Sequence, residues 1–249
     1  MYLILEIEYD GTNYSGWQRQ KNAITIQGEI ERAFLEITGS AVSLTGAGRT
    51  DAGVHARAQI AHAELDEKLG IAAEQLPLAL NSKLNYDIRI KHVIYSEEKF
   101  HARFDAIARE YSYTIVTRYS VFDRHFCSHI RYPIDRDLLL QSAGLFLLKD
   151  DFTTFSKRNS DIINNVCDVT VSNWKIIDEN TLRYTIKANH FLYGMVRSLV
   201  GTMLDIARGK RDATEIASAL SSRDRSLQSP LADSRGLILE KIFYKKNLL

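Results

Sequence analysis

Hydrophobic and polar positions alternate from the second residue. The run YLILEIEY, followed by Asp10-Gly11, predicts a strand over 2–9 closed by a turn. From Thr25 the rhythm lengthens: Ile26, Ile30, Ala33, Phe34 and Ile37 recur at helical spacing, with Thr25 placed to cap the start and Gly39 to end it. AVSLTG (41–46) and RAQIAHAEL (57–65) read as strands on either side of a glycine-rich loop. AAEQLPLALNSKL (72–84) reads as helical, with Pro77 able to start a second helix, and YDIRIKHVIYS and REYSYTIVTR as two more strands. In the second half, 135–148 reads as helix, 168–178 and 181–189 as a hairpin turning at Asp178-Glu179-Asn180, 191–209 as a long amphipathic helix stopped by Gly209, 212–222 as a shorter helix, and 236–244 as a last strand.

Runs of strands broken by helices predict an α+β protein with mostly antiparallel sheet. No Pro/Ser-rich linker divides the chain, which has only three prolines. Strand content restarts near 100–110, and the two stretches carry their elements in a loosely similar order. The expected organisation is therefore two related sheet-based halves, 1–105 and 106–249, flanked by helices, with an active-site cleft between them.

Composition narrows the class. The 249 residues are 45% hydrophobic and 25% charged, enough to bury a core without staples. No run approaches the roughly 20 apolar residues of a membrane span. The start lacks a basic segment and reaches Glu6 and Glu8 at once, unlike a secretory leader. Two cysteines, Cys127 and Cys167, are too few for a disulfide framework, so a reduced, cytoplasmic setting is expected. There is no CxxC and no spaced Cys/His set, so no metal is expected. The net charge of +1 neither announces nor excludes a nucleic-acid partner, since a basic stripe can be offset by acid elsewhere.

The chemistry concentrates in GAGRTDAGVHA, Gly46–Ala56. A P-loop is excluded because no Gly-Lys-Ser/Thr follows, and a dinucleotide fingerprint fails on spacing. Asp51 with His55 is too thin a set for a metal. Two readings remain on the residues alone. Asp51 either caps a turn and pairs with Arg49, or stands on bare backbone as nucleophile or base toward something large. Tyr111 reads equally as a core aromatic or a stacking ring, and Arg197 as an exposed helix arginine or a buried one needing a carboxylate partner.

GRTDAGVHA resembles the signature of the tRNA pseudouridine synthase A family, whose catalytic residue is that aspartate. YDGTNYSGWQRQ, TIQGEIERAF, FHARFDAIAREYSYTI, DFTTFS and FLYGMVRSLVG resemble further family segments in the same order, from residue 9 to beyond 200. The resemblance implies conversion of uridine to pseudouridine at positions 38, 39 and 40 of the tRNA anticodon stem-loop, without metal or organic cofactor, by a homodimer. It implies that Asp51 is catalytic, by attack at uracil C6 or at the ribose. Tyr111 would stack on the extruded uracil, Arg197 would pair with Asp51, and Arg49 would help fill the space the base leaves. His55 and Trp17 read as scaffold. Gln18, Arg19, Lys83, Arg89, Lys91, Lys99, His101, Arg103 and Arg109 are candidate phosphate contacts. A catalytically silent tRNA-binding module or RNA chaperone of the same fold is the alternative, and an aspartate hydrolase of small substrates a third. The chain departs from the family pattern at Asn164-Asn165, at Asn189-His190 and between Pro230 and Gly236, which bears on tRNA contacts and target range.

Overall fold

The opening alternation makes the strand it predicts. In the computed structural model, which describes residues 1–158 and 164–246, β1 spans Tyr2–Tyr9. α1 follows at Ile26–Thr38. The Thr25 side chain accepts from Gly28 N, and Gly39 closes the helix in the left-handed region at φ 69°, the conformation glycine adopts without a Cβ penalty. Ile26, Ile30, Ala33 and Phe34 are all fully buried, so the helical spacing marks its core face.

The chain divides into two compact units, Met1–Ile107 with the C-terminal strand from Ile238, and Ala108–Leu237. In the first unit, after β2 (Thr45–Gly46), β3 (His55–Glu64), α2 (Leu76–Asn81) and β4 (Ile88–Ser96), β1 runs antiparallel between β3 and β4. The closing strand, Leu237–Tyr244, lies parallel to β3, with Ile238 opposite His55 and Leu239 opposite Ala56. The two-way division by sequence placed this strand in the second half, whereas its pairing puts it in the first unit. Arg57 Nε meets Glu240 Oε2 at 3.2 Å, and the Tyr244 hydroxyl donates to Ala102 O at 2.7 Å.

In the second unit β5 (Ala106–Val116), β9 (Thr181–Ala188), β8 (Val166–Ile176) and β7 (Lys149–Asp151) are neighbours in that order, all antiparallel, and β6 (Ser128–His129) adds a short parallel pair to β5. α3 (Arg136–Ser142) starts at Asp135, whose side chain accepts from Leu138 N. α4 is Met195–Ala207 and α5 Glu215–Ser222. The molecule is thus α+β, with mostly antiparallel sheet and few helices. Several expected elements are shorter than read. Only Thr45–Gly46 of 41–46 forms ladder, the 72–84 helix starts at Leu76, and α4 begins at Met195 because Gly194 stands at φ 71° and breaks the run from Phe191. Residues 160–163 of the divergent stretch lie outside the described residues. Among those described, no helix is long and apolar enough to cross a membrane.

Candidate active site

Asp51 sits half-buried in the loop between β2 and β3, and Arg49 is exposed two residues before it. The loop is a set of tethers. Ala47 N donates to Ile60 O at 2.8 Å, the Gln59 side-chain amide donates to Gly48 O at 2.9 Å, and Val54 N closes a turn on Asp51 O at 3.1 Å. Backbone this irregular needs outside partners for its polar groups. They come from residues 9–17, the Tyr-Asp-Gly-Thr…Gly-Trp stretch.

Trp17 N donates to Thr50 O at 3.1 Å, and the hydroxyls of Tyr9 and Thr50 are 2.8 Å apart. The two loops approach so closely that side chains are excluded between them. A Cβ on Gly11 would lie 2.0 Å from Val54 O, and one on Gly16, at φ 90°, 2.5 Å from Thr50 O. A Cβ on Gly46 would lie 2.5 Å from Trp17 Nε1, and Trp17 is 1% exposed. Trp17 is therefore the anchor beneath the loop. His55, 2% exposed, is scaffold as well: its Nδ1 accepts from Gly11 N at 3.1 Å. Asp10 Oδ1, which accepts from Thr12 N and Oγ1, lies 3.0 Å from the same nitrogen.

A second tie lies behind the first. Asp87 accepts the Tyr14 hydroxyl at 2.5 Å and, through its carbonyl, Asp10 N at 2.9 Å. Burial and the Asp87 bond push the Tyr14 phenol well above its ordinary range, so it stays a donor. Tyr9, Tyr14 and Asp87 were not singled out from the sequence. Their one signal was the likeness of the stretch from Tyr9 to Gln20, which says that a segment matters but not which loop it holds.

Tyr111 and Arg197 belong to the second unit. Tyr111 lies on β5 opposite Ile186, 8% exposed, with its ring edge-on to Phe191 at 5.1 Å and 89°. Tyr113 shares its face but is fully buried and donates its hydroxyl to Asp233 O at 2.7 Å, a structural role. Arg197, on the first turns of α4, is half-buried, and its Nε donates to Ala232 O at 2.7 Å while Ala232 N donates back to Arg197 O at 3.0 Å. α4 can meet this segment only because residue 201 is glycine: a Cβ there would lie 2.1 Å from Pro230 O. Arg235 holds the neighbouring Asp233 carboxyl below the usual carboxylate range, with Arg197 adding to the effect.

The basic cluster divides. Lys83, Arg89 and Lys99 are exposed, but Lys91 is engaged by Glu6 at 2.9 Å and Arg19 by Glu31 at 2.8 Å. Arg109 is only 8% exposed and donates to Asn189 O at 2.8 Å, so it braces β5 and is no surface phosphate contact. Among the described residues no group of three or more His, Cys, Asp or Glu could hold a metal ion.

A family model described as tRNA pseudouridine synthase matches two stretches of the chain, residues 6–105 and 145–245. The chain is 39% identical over 247 residues to the tRNA pseudouridine synthase A of Thermoanaerobacter sp. (strain X514), covering 97% of this chain and 99% of that protein. It is 37% identical over 242 residues to the one from Bacillus pumilus (strain SAFR-032), covering 96% and 97%, and 39% identical over 238 residues to the one from Halalkalibacterium halodurans, covering 94% and 89%.

Proposed function

We infer from the premise that this chain belongs to the tRNA pseudouridine synthase family that it is an isomerase converting uridine to pseudouridine in tRNA, and we propose that Asp51 is its nucleophile. The observation that carries the assignment of Asp51 is its setting. Its backbone is held from two sides by the tethers of residues 9–17 and 59–60, while the side chain is only half-buried. A carboxylate on so fixed a backbone meets a bulky substrate with little loss of conformational freedom.

The reaction breaks the N1–C1′ glycosidic bond, turns the uracil, and forms a bond from C5 to C1′. The C5 proton is released and N1 regains one, so product and substrate have the same mass. Asp51 carries the covalent intermediate, through uracil C6 or through the ribose. Tyr111 stacks on the extruded uracil, a contact worth roughly 1–3 kcal/mol per base. Arg197 is the proposed partner of the Asp51 carboxylate. Arg49 stacks in the gap left by the base, whose extrusion costs a few kcal/mol. The targets are positions 38, 39 and 40 of the anticodon stem-loop, reached by a homodimer whose exposed Lys83, Arg89 and Lys99, together with Arg103, meet phosphates. No cofactor takes part.

Asp51→Asn is the test. Tritium release from tRNA labelled at uridine C5 is expected to vanish while tRNA binding persists. Release at the wild-type rate would end the assignment. Chemical labelling of the product tRNA then maps the modified positions, and pseudouridine outside 38–40 would overturn the target assignment.

A further inference from the structure

The first unit holds a pair of histidines that the reaction does not use. His62 on β3 is 7% exposed, and its ring centroid lies 4.8 Å from that of His101. Both Nδ1 atoms are acceptors. His62 Nδ1 takes Ala102 N–H at 3.1 Å; His101 Nδ1 takes both Arg103 N–H and Phe104 N–H, each at 3.2 Å. Three consecutive amides of one turn are thus satisfied by two imidazoles. His101 does for this turn what a capping Asp or Ser does at a helix start. Its other tethers are His101 N to Asp105 Oδ2 at 2.7 Å, Asp105 N to His101 O at 3.0 Å, and the Tyr244 hydroxyl to Ala102 O.

The turn carries an exposed aromatic. Phe104 is 73% exposed; its ring lies 4.2 Å from that of His101, and the Arg103 guanidinium stands over it at 5.6 Å. The rings of His62, His101 and Phe104 therefore form a ladder from the interior to the surface.

An Nδ1 that accepts a hydrogen bond cannot also carry a proton. An imidazolium donates from both nitrogens. Protonating either ring removes the acceptor of an amide above it, and protonating both sets like charges 4.8 Å apart. The groups facing His62 are Tyr2, whose ring is 6.3 Å away, Phe100 edge-on at 5.9 Å, the Thr45 backbone, Glu64, Asp105 and His101. Burial and the His101 charge outweigh the two carboxylates and hold His62 below its ordinary range.

We propose that His62 and His101 are positioning residues forming a proton-sensitive clasp, which fixes the Ala102–Phe104 turn at neutral pH and releases it in acid, so that tRNA affinity falls as the pH falls. The consequence for affinity rests on the RNA-modifying function proposed above; the clasp itself does not. His101 accordingly presents Arg103 and Phe104 and is not itself a phosphate contact.

The test compares the full-length wild type with His101→Asn, whose side-chain oxygen can still accept from amides two and three residues on but does not titrate. Binding of an unmodified tRNA transcript and amide hydrogen exchange at residues 102–104 are measured at pH 7.5 and 5.5, with exchange rates corrected for intrinsic pH dependence. The wild type is expected to lose affinity about five- to tenfold and to lose protection at the Arg103 and Phe104 amides, which His101 Nδ1 holds, the size expected for one or two lost hydrogen bonds. His101→Asn is expected to change less than about twofold in affinity and in the exchange of those two amides. Unchanged wild-type protection at pH 5.5, or the full wild-type loss in His101→Asn, overturns the clasp. A wild type that binds no tRNA at pH 7.5 overturns the functional reading, and the amide readout still decides the clasp by itself.

Discussion

The indole of Trp17 occupies the place that a side chain at Gly46 would need. The virtual Cβ there falls 2.5 Å from Nε1 and 2.7 Å from Cε2. Tryptophan and glycine thus form one fitted pair, and the pair sets the entry to the loop that carries Asp51.

Gly46→Ala is expected to destabilise the protein by about 1–3 kcal/mol, the range for forcing extra volume into packed surroundings. The strain falls on the Asp51 loop, so kcat should drop more than tRNA affinity does. Adding Trp17→Phe, which removes the five-membered ring, should recover part of the loss. Urea unfolding of both single variants and the double variant measures the coupling. Strict additivity of the two changes would contradict the fitted pair.

Arg197→Lys keeps the charge and removes the Nε donor that reaches Ala232 O at 2.7 Å. An ammonium on a flexible stem does not replace the planar, multiply donating guanidinium. Turnover is expected to fall by at least about tenfold, with faster hydrogen exchange at residues 230–233. Full activity in the lysine variant would show that charge alone suffices.

Tyr111→Phe and Tyr111→Ala separate ring from hydroxyl. Phe keeps the edge-on contact with Phe191, and Ala removes it. If the ring stacks on uracil, single-turnover rates should fall far more for Ala than for Phe. Equal losses would assign the role to the hydroxyl.

Cys167 is fully buried, and burial pushes its thiol up to about 12; burial likewise pushes Cys127 up to about 11. Both values lie above the ordinary thiol value of about 8.5. Above that pH the unfolded chain sheds thiol protons that the native chain keeps, so stability declines as the pH rises from about 8.5 toward 11. Replacing Cys167 with Ala should flatten that decline. Iodoacetamide at pH 8 should label Cys167 in urea and hardly at all in the native protein. Rapid native labelling would disprove the shielding.

Local structure follows local chemistry, and the places where it does not are instructive. The Thr25 cap and Gly39 stop of α1 were readable because every participant lies within a few residues. Phe191–Tyr193 share the apolar spacing of α4 but not its backbone, since Gly194 adopts a left-handed conformation that periodicity cannot report. Arg109 looked like a surface charge beside other basic residues, yet the β5–β9 register buries it against Asn189. Asp51 itself was prominent in the chain, whereas the tethers of its neighbour Thr50 to Tyr9 and Trp17 were not, because they join segments more than thirty residues apart that only the folded sheet brings together.

The parallel pairing of Ile238–Leu239 with His55–Ala56 has a consequence for biosynthesis. The strand that leaves the Asp51 loop is synthesised well before its neighbour on that side, which lies far downstream in the chain. Until then the His55–Ala56 end of β3 lacks that neighbour, and open strand edges are the kind of surface that chaperones shield and that recruits stray strands. Nascent chains halted before residue 237 should therefore lack a settled loop at Asp51, whose surroundings mature only once the distant strand has been made.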